Sequence, residues 1–142
     1  MSIFGTMKGW LRQMTRADGS MGAGRRNAWL VRREGAVLTL ARHWPARFDL
    51  SASTLFPRGA AGLSRARLAH QLRQDAWRLL QGLRGFSPVV RIERSEDALR
   101  VTVGGTLAHL PAPVARAEAR LSDLLSDPAH RARWMRHAGG VA

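Results

Sequence analysis

The sequence predicts an α+β domain: two β-hairpins forming a small, mostly antiparallel sheet with helices packed on one face. The expected order is ββ(β)α-ββ(β)αα, preceded by an N-terminal amphipathic helix. Three observations lead there. Apolar residues alternate with a period of two near residues 29–40 and 90–103, the strand signature. Runs with a period near 3.6 follow each of them, as helices require. A glycine-rich stretch then sets the first helix apart from the rest. The chain accordingly divides into a helix over 1–17, a linker over 18–26 and a basic α+β domain over 27–142.

In residues 2–16, a step of about 100° per residue places Ile3, Phe4, Met7, Trp10, Leu11 and Met14 on one arc of roughly 120°. Lys8, Arg12, Gln13 and Arg16 occupy the remainder. Asp18-Gly19-Ser20-Met21-Gly22-Ala23-Gly24 breaks the pattern, and its composition is that of a flexible tether.

The first hairpin reads as Trp29-Leu30-Val31, a turn at Glu34-Gly35, and a return strand carrying Leu38 and Leu40. Phe48-Asp49-Leu50 suggests a short third strand. Ser51 to Gly62 reads as loop, punctuated by Pro57, Gly59 and Gly62. A long helix is expected from Arg65 to Leu83, with Ser64 as N-cap and Leu63 and Leu68 as a hydrophobic staple. Leu68, Leu72, Ala76, Leu79 and Leu83 form its apolar seam.

The second hairpin alternates cleanly. Val90 and Ile92 interleave with Arg91 and Glu93, Ser95 to Ala98 turns the chain, and Leu99, Val101 and Val103 return it. Gly104-Gly105 is expected to end that strand, with Thr106 to Leu110 as an extension of the sheet. Pro111 and Pro113 open a helix carrying Val114, Ala117, Leu121, Leu124 and Leu125. Asp127-Pro128 then places an N-cap before a proline at the first helical position, so a last helix starts there and stops at Gly139-Gly140.

Composition narrows the function. The chain of 142 residues is one domain's worth, and its formal net charge is +13, with Lys8 as the sole lysine. Such a surplus attracts polyanions. The arginines are dispersed, with doublets such as Arg25-Arg26 as the longest runs, which points to a folded basic surface rather than a basic tail. Absence of cysteine excludes disulfides and thiolate chemistry and suits a reducing compartment. No apolar run approaches the roughly 18 residues of a membrane span. The expected location is cytoplasmic, with a peripheral position at the inner membrane face open to the N-terminal helix. The same basic, acid-poor residues also fit an organellar presequence.

Two helix faces combine cations with aromatics. His70, Arg73 and Trp77 lie at i, i+3 and i+7, away from the leucine seam; His130, Arg133, Trp134 and His137 make a comparable stripe. Guanidinium groups neutralise phosphates through a two-pronged geometry, while indoles stack on exposed bases. Packing against neighbouring helices is the commoner fate of a tryptophan. Ile3, Phe4, Met7, Lys8, Trp10, Leu11, Arg12 and Met14 form a second candidate surface, fit to dock on a membrane interface or a partner's groove.

Other chemistry is poorly supported. Residues 19–24 lack the Gly-Lys-Ser/Thr ending of a phosphate loop and run from helix to strand, the reverse of what such a loop needs. His130 and His137 sit about 10.5 Å apart along their helix, too far to share a metal ion. Glu93, Glu96 and Asp97 cluster at a turn, and Glu118 and Asp123 fall on different helix faces. No cofactor or metal is expected. The leading expectation is therefore a non-enzymatic basic protein contacting nucleic acid or a nucleoprotein particle. The alternatives are an accessory protein docking through residues 2–16 onto a membrane or an acidic protein, and an enzyme whose site assembles from distant residues.

Overall fold

The computed structural model describes residues 29–57, 62–109 and 113–139. The expected N-terminal helix and linker lie outside them. Among the described residues five strands appear: β1 (Leu30–Glu34), β2 (Val37–Ala41), β3 (Leu50–Phe56), β4 (Ser87–Arg94) and β5 (Leu99–Thr106). Helix α1 (Arg65–Leu80) separates β3 from β4, while α2 (Val114–Ser126) and α3 (Pro128–His137) follow β5. The strands form one sheet in the order β1-β2-β4-β5-β3, with every neighbour antiparallel. This is the α+β architecture that the periodicities predict.

The first hairpin closes on the Glu34↔Val37 pair, leaving Gly35 and Ala36 as a two-residue turn. Gly35 has φ +61°, and among the described residues none other than glycine has a positive φ. A positive φ at the first turn residue alone matches the type II′ turn that suits twisted strands. The second hairpin pairs Arg94 with Leu99, and Ser95 Oγ closes its loop by donating to the Ala98 carbonyl at 3.0 Å.

Two expectations about strands need correction. Residues 50–56 form a full strand rather than loop, pairing with β5 from Leu50↔Gly105 to Phe56↔Leu99. Its apolar signal is diluted because Ser51 and Ser53 alternate with Leu50, Ala52 and Phe56. Gly104-Gly105 also does not end β5, which continues to Thr106. Those glycines mark crowding instead. A Cβ on Gly104 would collide with the Leu50 carbonyl, and one on Gly105 would collide with the Ser87 carbonyl. Close approach of backbones is what a strand glycine permits.

The helices start where their caps predict. Ser64 Oγ accepts from the Arg67 N–H at 3.2 Å, and Leu63 and Leu68 are both buried beside it. Asp127 Oδ2 accepts from the His130 N–H at 3.0 Å, with Pro128 at the first position of α3. Helix α1 stops at Leu80 rather than Leu83; Leu83 N–H then bonds the Leu80 carbonyl in the turn beyond.

One face of the sheet meets the helices. Leu38, Leu40, Val90, Ile92, Val101, Val103, Leu50 and Phe56 pack there against Leu68, Leu72, Ala76, Leu121, Leu125 and Trp134. On the other face, a row crosses all five strands as Arg32, Thr39, Arg91, Thr102 and Ser53. Ala41, Ala46 and Val89 form a second, smaller cluster, with Trp44 and Phe48 packed against it.

The outer edge of β3 is filled by side chains. Glu118 Oε2 accepts from the Ser51 N–H at 2.8 Å. Arg131 donates to the Leu55 carbonyl at 2.6 Å and to Thr54 Oγ1 at 3.0 Å, and lies over the Phe56 ring.

Candidate nucleic-acid interface

The hairpin register creates the most distinctive corner of the molecule. Because Leu30 pairs with Ala41, continuing the ladder by one residue sets Trp29 opposite Arg42. Strand alternation turns Trp29 toward the helix side with Val31, and both pack against the main core. Helix α1 then delivers Arg73 to the same indole. The guanidinium carbon of Arg42 lies 4.8 Å from the Trp29 ring centroid, and that of Arg73 lies 4.7 Å from it. Both distances are within cation–π range.

No carboxylate answers these two cations among the described residues. The Nε atoms of Arg42 and Arg73 are both buried without a hydrogen-bond partner. Burial, and secondarily the charge of Arg42, lower the pKa of Arg73 below the usual arginine value. Burial, and then the charge of Arg73, also lower that of His70. The helix explains why Asp75 does not help. It stands two residues beyond Arg73, about 200° around the axis, on the opposite flank of α1. Trp77 stands four residues beyond Arg73, about 40° away, and shares its flank. Its side is open: Trp77 is 45% exposed, one of two large apolar residues so exposed among the described residues.

A second basic cluster sits at the start of α1. Burial first, then the charges of Arg94 and Arg33, lower the pKa of Arg65. Arg65 donates to the Ala36 carbonyl at 2.8 Å, and Arg94 to the Leu63 carbonyl at 3.5 Å. Eight residues separate Arg65 from Arg73, about 12 Å of helix. Four residues separate Arg33 from Trp29, about 13 Å of strand. The two clusters therefore stand at the two ends of one side of the molecule, between α1 and β1. Arginines occur elsewhere too, but Arg32, Arg91 and Arg100 on the other sheet face share it with Glu34 and Glu93.

The candidate residues of the sequence thus separate. His70, Arg73 and Trp77 come together and gain Trp29 and Arg42, which sequence reasoning passed over. The stripe on α3 does not form a surface. Trp134 is fully buried and donates its indole N–H to Asp75 Oδ2 at 2.6 Å. Arg133 donates to the same oxygen at 2.6 Å, so its charge is answered within the fold. His130 Nδ1 lies 2.6 Å from Asp127 Oδ2. The bonds from His130, backbone first, hold the Asp127 carboxyl below the usual carboxylate range. His137 is exposed at the end of α3. The docking candidates Ile3, Phe4, Met7, Lys8, Trp10, Leu11, Arg12 and Met14 lie outside the described residues.

An open groove of about 330 Å³ is lined by Leu79, Arg120, Asp123, Leu124, Asp127 and His130. Its one close acid–histidine pair is already engaged in capping α3. Among the described residues no three His, Asp or Glu side chains gather as a metal-ligand set, and no helix is long and apolar enough to cross a membrane. Comparisons with protein families, with curated proteins and with solved structures find no match to the chain.

Proposed function

We propose that the chain is a non-enzymatic basic binding module whose partner is nucleic acid, contacted along the side between α1 and β1. The observation that carries this reading is the pairing of two arginines on the Trp29 indole with no acid among the described residues to neutralise them. An acid-free pair of guanidiniums is ready to meet phosphates, since no internal ion pair must break first. The exposed Trp77 on the same flank offers the flat apolar surface on which an unpaired base stacks. The Arg33–Arg65–Arg94 cluster at the other end supplies further positive charge along the path of a strand.

A titration of labelled single-stranded oligonucleotides across salt concentrations tests the reading. Affinity falls log-linearly with salt as counterions are released. Replacing both Arg42 and Arg73 by Gln lowers the magnitude of the slope by roughly 0.7 per lost phosphate contact on a single strand. Absence of binding to DNA and RNA at low salt overturns the proposal.

A further inference from the structure

The corner at Trp29 has an electrostatic defect that points to a ligand. The guanidinium carbons of Arg42 and Arg73 can be no further apart than their two distances to the Trp29 centroid laid end to end. Like charges held that close, partly withdrawn from water, repel each other. The indole face attracts each cation but accepts none of their in-plane N–H bonds. Among the described residues both Nε donors lack an acceptor, and no acceptor meets their terminal nitrogens either, whereas Arg65, Arg94 and Arg131 elsewhere in the fold direct terminal guanidinium nitrogens to backbone carbonyls. Donors in a native fold are mostly satisfied, so two guanidiniums on one indole whose terminal nitrogens have no acceptor among the described residues call for an explanation.

We propose that Arg42 and Arg73 form a phosphate-binding site seated on Trp29, holding the phosphate oxygens of a nucleic-acid strand through the terminal nitrogens of both guanidiniums. The site rests on the nucleic-acid reading and adds which group of the strand is held, and where. Phosphate fits better than a single carboxylate because its several oxygens can accept from two separate guanidiniums at once. The planar fork of arginine matters as much as its charge, since a lysine cannot stack on Trp29 and bond the oxyanion with the same geometry. His70 stands one turn before Arg73 on the same flank of α1, near enough for the charge of Arg73 to act on it.

The test uses the full chain with inorganic pyrophosphate, an abasic deoxyribose-phosphate oligomer, a normal oligonucleotide of equal length, and vesicles containing phosphatidic acid. The readout is the Trp29 indole N–H resonance, assigned with Trp29→Phe, together with dissociation constants. Expected results are a saturable shift of that resonance by pyrophosphate and by the abasic oligomer. Arg42→Lys and Arg73→Lys each weaken binding at least tenfold at unchanged net charge, while Arg100→Lys, on the other sheet face, binds as wild type does. Circular dichroism confirms that the variants are folded. No saturable shift, or lysine variants that bind like wild type, overturns the site. Oligonucleotide binding without a pyrophosphate response overturns this site alone and leaves the nucleic-acid reading standing. A pyrophosphate response with vesicle binding and no oligonucleotide binding overturns the strand as the source of the phosphate.

Discussion

The indole N–H of Trp134 points at Asp75 across the junction of α3 and α1, 2.6 Å from Oδ2. That bond decides which tryptophan faces the solvent. Trp134 goes inside because a buried carboxylate can satisfy its polar edge, and Arg133 and Arg78 balance the charge of that carboxylate from the rim. Asp75→Ala would leave a buried indole N–H unpaired and Arg133 without its partner. The expected loss is about 3 kcal/mol, read from urea denaturation midpoints.

Trp77→Ala should separate binding from folding. The side chain is nearly half exposed, so the loss of stability stays at about 1–2 kcal/mol and the variant remains folded. Affinity for a single strand falls by about 1–3 kcal/mol if a base stacks there, and affinity for a duplex changes far less. Equal losses for both substrates would show that Trp77 does not stack.

His70 provides a pH signature. Burial first and Arg73 second favour its neutral form in the folded chain. As pH falls below about 6.5, the unfolded chain takes up this proton before the folded one does, so the folded state loses stability in that range. Above about 6.5 both states are neutral and the contribution is constant. Arg73→Gln removes the smaller cause, so the His70 titration, followed by NMR, moves upward while staying below the ordinary value. A titration unmoved by Arg73→Gln would separate the two side chains.

Gly104→Ala tests the strand crossing. The added Cβ would collide with the Leu50 carbonyl and come within 2.7 Å of the Ser51 Cα. Both are backbone groups of β3, so no side-chain rotation relieves the overlap. A loss of about 2 kcal/mol or more is expected in thermal melts. A variant as stable as wild type would mean that β3 can move away from β5.

Much of the fold is legible in the residues because local chemistry fixes it. Ser64 and Asp127 announce their helices through side chains that can do little else at those positions, and Val90 to Glu93 and Leu99 to Val103 alternate cleanly on either side of their turn. Strand β3 escapes notice because its pairing is decided by β5, three elements further along the chain, context that Leu50–Phe56 does not contain. The split between the two tryptophan helices depends on Asp75, whose helical offset is readable but whose partners on α3 are not. Trp29 and Arg42 were within reach: a turn at Gly35-Ala36 sets residues 30 and 41 opposite each other, and 29 and 42 follow. What the residues alone do not give is the arrival of Arg73 from α1.

The Glu118 and Arg131 side chains that plug the margin of β3 have a bearing on crowding. Basic proteins gathered along one polyanion stand shoulder to shoulder, where an uncapped strand edge invites neighbours to fuse into a continuous sheet. Here the backbone N–H of Ser51 and the carbonyl of Leu55 already have partners within their own chain. Copies loaded densely on a template would meet at that margin as separate bodies and could come off one at a time.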